Sequence, residues 1–136
     1  FSSDIQQTTE KALVDKQKQL LEMLSLVDDA EKVLTSKTDL NEFGRLLDYT
    51  WKLKRGISSR ISTDSIDGLY AKGIEAGALG GKLLGAGGGG FLLFYVEPDK
   101  QEHVRKAMEE LLYVPFEFEN SGTRVIHYTP ETYEKR

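Results

Sequence analysis

The chain has 136 residues and no cysteine, so disulfide bridges and thiolate metal centres are excluded. Histidine is almost as scarce: His103 and His127 stand far apart, without the spacing of a paired metal ligand. There is no excess of positive charge. Lysine and arginine number 18 against 22 aspartates and glutamates, for a formal net charge of −4, which argues against nucleic acid or an anionic membrane as the main partner. No apolar run approaches the length of a transmembrane helix and no signal peptide is visible, so a cytoplasmic setting is expected. The sequence opens on Phe1-Ser2-Ser3 without an initiator methionine. Processing, a cloning choice or a cut from a longer protein would each account for this.

What remains is an ordinary globular composition, 39% hydrophobic and 29% charged, with chain enough for one domain and one core. The first half reads as helix. From about Ser3 to Thr35, with a break expected near Val27-Asp28, Ile5, Ala12, Leu13, Leu20, Leu24, Val27 and Leu34 recur at helical intervals. A second helix starts near Asp39, where Asp39-Leu40-Asn41-Glu42 resembles a capping box. It carries Leu40, Phe43, Leu47, Thr50 and Trp51 on one side and ends near Gly56. A third begins at Ser62-Thr63-Asp64, with capping residues followed by acid in the first turn, and runs through Ile66, Leu69, Tyr70 and Ile74 to Gly77.

The second half changes character. Gly80-Gly81 is expected to turn and Lys82-Leu83-Leu84 to form a strand stub. Phe91 to Val96 reads as a strand apolar on both faces, hence buried on both sides or packed centrally. Pro98 suits the first turn of a helix bearing Val104, Ala107, Met108 and Leu111. Val114 to Glu119 alternates apolar and polar residues, and Asn120-Ser121-Gly122 supplies a turn. Thr123 to Tyr128 returns as its partner strand, and a charged tail follows Pro130. The sum is an α+β domain with helices packed on one face of a small, mostly antiparallel sheet.

Between the two strands lies Gly85-Ala86-Gly87-Gly88-Gly89-Gly90, five glycines in six positions, with Lys82 just ahead of it. A loop without side chains lets another molecule approach the backbone, and exposed amides beside a cation suit a phosphate. The dinucleotide fingerprint needs a helix after the loop, whereas here a strand follows. The Walker A pattern needs Gly-Lys-Ser/Thr, and the protein-kinase motifs are missing downstream. A glycine-rich hairpin serving only tight packing is the plain alternative. However, each glycine costs about 0.5–1 kcal/mol of extra backbone freedom, and a hairpin needs only one or two.

Gly80-Gly81-Lys82-Leu83-Leu84-Gly85-Ala86-Gly87-Gly88-Gly89-Gly90-Phe91 resembles the third motif of the GHMP kinases, the galactokinase, homoserine kinase, mevalonate kinase and phosphomevalonate kinase superfamily. There it belongs to the C-terminal domain. Trp51-Lys52-Leu53-Lys54-Arg55, Ile66-Asp67, Gly77 to Lys82, Pro115-Phe116-Glu117-Phe118 and Gly122-Thr123-Arg124-Val125 are similar to the branch acting on D-glycero-D-manno-heptose 7-phosphate, as is the opening Phe1-Ser2-Ser3-Asp4-Ile5. The resemblance implies a ferredoxin-like C-terminal domain over residues 1–136, and ATP with Mg²⁺ as the phosphoryl source of the intact enzyme. It also implies the anomeric hydroxyl of a heptose 7-phosphate as acceptor, and an N-terminal kinase domain as partner. That domain carries the Gly-Leu-Gly-Ser-Ser phosphate loop and the catalytic and metal-linked residues, and the loop sequence occurs nowhere here. No catalytic residue, metal ligand or tight cofactor site is therefore expected in this chain, and no activity from it alone.

Gly85, Ala86, Gly87, Gly88 and Gly89 are the candidate wall over substrate and phosphates, with Gly90 at its edge. Lys82 is a candidate phosphate contact or a solvated surface charge. Lys52, Lys54 and Arg55 form a basic cluster that is a candidate for a sugar phosphate, though cations are favoured at a helix C-terminus in any case. Asp64 and Asp67 are candidates to pair near an acceptor hydroxyl, although Asp64 is also explained by first-turn chemistry. Trp51 belongs to the core, and His103 to a solvent face. His127 falls in the last strand beside Tyr128. A second reading stays open: a stand-alone ferredoxin-like binding or regulatory module whose glycine loop takes a small anion. Three strands leave an edge open to pairing with a second copy of the chain.

Overall fold

The computed structural model describes residues 2–57, 62–85, 90–125 and 127, with side chains described from Val14 onward. Helix α1 (Ser2–Thr35) is followed by α2 (Asn41–Ile57) and α3 (Asp64–Glu75), then by strands β1 (Gly80–Leu84) and β2 (Phe91–Tyr95). A 3-10 turn at Pro98–Lys100 leads into the short α4 (Gln101–Ala107).

The helix starts follow local chemistry. Asp39 Oδ1 accepts from the Asn41 amide at 3.0 Å and opens α2. Thr63 caps α3, its Oγ1 accepting from the Ile66 amide at 3.3 Å. Pro98 starts the turn into α4.

The expected break in α1 is absent, and the helix runs unbroken through Val27-Asp28. Its contact face is also not the expected stripe. Gln19, Met23, Leu26, Ala30 and Val33 are the half-covered positions, and α2 is the element packed against the helix. Leu20, Leu24, Val27 and Leu34, one residue further on, stay exposed. The reason is width: α1 carries two adjacent apolar stripes, and a single neighbouring helix covers only one of them.

Trp51, Ile66, Tyr70 and Leu83 form the core, with Ile74, Leu92 and Phe94 packed against it. Trp51 is 2% exposed. Its ring lies 5.8 Å from that of Tyr70, which lies 5.7 Å from Phe94, within the range of favourable aromatic pairing. One helix side chain, one strand side chain and two from α3 thus meet at a single point.

The sheet is the antiparallel pair β1–β2, registered from Gly80 opposite Tyr95 to Leu84 opposite Phe91. Three sequence expectations fail here. Gly80-Gly81 is not a turn but the start of β1. Its glycine serves proximity, since a Cβ at Gly80 would stand 1.9 Å from the Gly44 carbonyl oxygen of α2.

Strand β2 is not buried on both faces: Phe91 is exposed and the other residues are half-buried. Leu92 and Phe94 face the core while Phe91 lies on the opposite, open face, and among the described residues β1 alone pairs with the strand, so it is not central either. The hairpin expected over 114–128 is also missing, as no described residue from 112 to 125 is in a strand. Phe118 is 91% exposed there, and Phe116, itself exposed, meets the Phe118 ring edge-on at 5.8 Å. Alternation makes a strand only where another backbone completes the ladder.

In α4, Val104 is buried as expected, whereas Leu111 lies beyond the helix and is exposed. His103 faces solvent, and the exposed His127 is not in a strand. Tyr128 and the tail after Pro130 lie outside the described residues. No helix among the described residues is long and apolar enough to cross a membrane.

Candidate functional site

The glycine loop leaves the end of β1 at Gly85 and enters β2 at Gly90. Both take positive φ, 124° and 131°, a region that residues with a Cβ rarely occupy. At Gly90 a Cβ would also stand 2.0 Å from the Leu84 carbonyl oxygen. Two of the five glycines are thus required by the backbone of the hairpin itself. Ala86, Gly87, Gly88 and Gly89 lie outside the described residues.

Lys82 is exposed and pairs across the strands with Leu93. Leu83, Leu92 and Phe94 turn toward the core, so the pleat sends Lys82 to the opposite face, together with the exposed Leu84 and Phe91.

The other charged candidates gather where α2 ends and α3 begins. Arg55 Nη1 lies 3.2 Å from Asp67 Oδ1. The same oxygen accepts from Ser62 Oγ at 2.6 Å. Lys54 is half-buried beside Arg55, and Asp64 is exposed in the first turn of α3. The structure therefore pairs Asp67 with Arg55 and not with Asp64. First-turn acid on one helix facing last-turn base on another was the available signal, but it became readable only once the two helix ends were placed together.

A second network went unread in the sequence. Asp48 accepts from Tyr70 Oη at 2.9 Å through Oδ1 and pairs with Lys52 at 2.5 Å through Oδ2. Burial pushes the Tyr70 phenol far above its ordinary value, and the hydrogen bond to Asp48 and that carboxylate's charge add to the shift. Trp51 Nε1 is buried and has no hydrogen-bond partner among the described residues.

At the far end of the sheet, Glu97 accepts from Asn41 Nδ2 at 2.9 Å and pairs with Lys100 at 2.5 Å. The Lys100 hydrogen bond, then that of Asn41, hold the Glu97 carboxyl below its ordinary value.

Among the described residues no group of three or more histidines, aspartates and glutamates could hold a metal ion. What the arrangement offers is a glycine-bounded hairpin anchored in an aromatic core, with a half-exposed arginine and its carboxylate partner on the adjoining helix ends.

The described residues define an α+β domain whose antiparallel hairpin is bounded by Gly85 and Gly90. The chain belongs to the family described as GHMP kinases C terminal, which matches residues 30–114. Among its relatives is D-glycero-alpha-D-manno-heptose 7-phosphate kinase of Campylobacter jejuni, 33% identical over 127 residues, covering 90% of this chain and 37% of that protein. Mevalonate kinase of Pyrococcus abyssi is 36% identical over 89 residues, covering 64% of this chain and 26% of that protein. In fold, the chain is similar to the crystal structure of L. major mevalonate kinase in complex with R-mevalonate. The TM-score is 0.63 at 24% identity, covering 79% of this chain and 32% of that one. The chain therefore spans little more than a third of the length of the heptose phosphate kinase it matches.

Proposed function

We propose that this chain is the C-terminal domain of a cytoplasmic, ATP-dependent sugar kinase that phosphorylates the anomeric hydroxyl of D-glycero-D-manno-heptose 7-phosphate. The observation that carries this reading is the similarity to the Campylobacter jejuni heptose phosphate kinase across 90% of the chain, against 64% for the mevalonate kinase of Pyrococcus abyssi.

Phosphoryl transfer depends mainly on positioning and on charge stabilisation. A loop without side chains beyond one methyl contributes to both: Gly85, Ala86, Gly87, Gly88 and Gly89 form a wall that closes over substrate and phosphates, offers amides and excludes water. Gly85 and Gly90 fix where the loop leaves and rejoins the sheet. Mg²⁺, when bound in the intact enzyme, neutralises phosphate charge, and its ligands belong to the N-terminal kinase domain that is this chain's partner. The isolated 136-residue chain is accordingly inactive.

The test is ATP-dependent phosphorylation by the intact protein, with heptose 7-phosphate, galactose and mevalonate compared as acceptors. The heptose phosphate should give the highest kcat/KM. Preference for mevalonate or galactose would overturn the acceptor assignment, and turnover by the 136-residue chain alone would overturn its reading as a dependent domain.

A further inference from the structure

Contacts along α2 and β1 advance in the same direction. Gly80, at the start of β1, abuts the backbone of Gly44 and Asp48 in the first half of α2. Leu83 shares the core cluster with Trp51, further along that helix. Four more helical residues add about 6 Å and reach Arg55, while two more strand residues add about 7 Å and reach Gly85. Helix α3 runs the other way, from Asp67 beside Arg55 to Tyr70 beside Asp48. Arg55, Asp67, Ser62 and the opening of the glycine loop therefore lie at one end of the domain.

Arg55 is held there by one edge. Its Nη1 meets Asp67, which Ser62 anchors in turn, and the arginine side chain remains 37% exposed. A guanidinium has five donors in a planar fork, and among the described residues Arg55 is paired with Asp67 through one nitrogen, which leaves further N–H groups for an oxyanion. Lys54, adjacent in the chain, adds a second positive charge. A surface ion pair of this kind contributes little to folding, so stability gives a weak reason for an arginine paired at this end of the domain.

We infer that Arg55 binds the phosphate monoester of a phosphorylated acceptor sugar, and that Asp67 and Ser62 are positioning residues that aim its guanidinium. This rests on the kinase reading above and names the group by which a sugar phosphate is told from an unphosphorylated sugar.

The experiment uses the intact kinase with Arg55→Gln, Arg55→Lys and Asp67→Asn. Each variant is assayed with heptose 7-phosphate, with the same heptose lacking the phosphate, and with varied ATP. Arg55→Gln should raise KM for the phosphorylated acceptor about 10- to 100-fold, the effect of losing a hydrogen bond to a charged group. KM for ATP, kcat and the KM for unphosphorylated heptose should stay within about twofold, well below that loss. Arg55→Lys should restore part of the affinity. Asp67→Asn should raise the same KM by a smaller factor at unchanged kcat, which a purely structural role would not produce, and it tests the inference even if Arg55→Gln fails to fold.

An unchanged acceptor KM in a folded Arg55→Gln enzyme overturns the assignment. So does a rise in KM for ATP alone, which would give the arginine to the nucleotide. A wild-type enzyme that phosphorylates no sugar phosphate removes the kinase reading and this assignment together, whereas an active wild type with an indifferent Arg55 removes the assignment only.

Discussion

Gly80 and Gly44 bring β1 and α2 into backbone contact: a Cβ on Gly80 would stand 1.9 Å from the Gly44 carbonyl oxygen and 2.7 Å from the Asp48 amide nitrogen. Both obstacles are main-chain atoms, so no rotamer change relieves them. Gly80→Ala should therefore destabilise the domain by about 2 kcal/mol or more, at the upper end of overpacking costs. Urea unfolding of the two proteins measures this. A midpoint within error of wild type would show that the strand can withdraw from the helix at little cost.

Tyr70 predicts an alkaline limit. Its folded-state pKa is raised above the ordinary 10.0, first by burial and then by the hydrogen bond to Asp48. The unfolded chain gives up that proton first, so the contribution is complete below about pH 10 and is lost progressively above it. Tyr70→Phe should lose about 1 kcal/mol at neutral pH with the hydrogen bond. It should also show a shallower decline in stability above pH 10 than wild type. Denaturant midpoints measured from neutral to strongly alkaline pH check both parts, and parallel declines would remove the pH claim.

The glycine loop separates two kinds of glycine. Gly90→Ala places a Cβ 2.0 Å from the Leu84 carbonyl at φ 131°, and should lower the melting temperature of the domain whether or not it is joined to a kinase. Gly87→Val or Gly88→Val, in the proposed wall, should abolish turnover of the intact enzyme while leaving its melting temperature within a few degrees, on the order of a surface substitution. Activity together with thermal melting distinguishes the two classes. Wild-type turnover in the valine variants would end the assignment of the loop to the active site.

Trp51 combines deep burial with an unpaired indole N–H. Trp51→Ala should cost about 3–5 kcal/mol through the cavity it opens. Trp51→Phe loses area but also removes the orphan donor, whose burial itself costs about 1–3 kcal/mol, so its net loss should be well under half that of alanine. Equal losses in the two variants would mean that the indole nitrogen finds an acceptor in solution.

The elements written in local chemistry were legible. Thr63 as cap, Pro98 as helix opener and Trp51 on an apolar stripe each depend on neighbours within a turn or two, and each stands where the sequence places it. Positions whose meaning depends on a distant backbone were not. Gly80-Gly81 has turn composition, and only the passage of α2 beside it makes Gly80 a strand glycine. Leu24 and Met23 both lie on apolar stripes of α1, and only the position of α2 decides which stripe is covered. Val114, Phe116 and Phe118 have a strand's period without a ladder to join. At the site, the pairing of Arg55 with Asp67 needed two helix ends to meet in space, whereas the positive φ at Gly85 and Gly90 falls on the residue type that permits it.

Asn41 ties the front of the chain to the back. Its side chain donates to Glu97 at 2.9 Å and accepts from Tyr95 Oη at 3.4 Å, across 56 and 54 residues. Closing a loop of that size costs on the order of 3–4 kcal/mol in chain entropy. The remaining contacts of the folded core must repay this cost before the knot at Asn41 can hold. Helix α2 and the hairpin should consequently gain and lose amide-exchange protection together, as one cooperative unit, while α1, packed chiefly along α2 among the described residues, can open without them.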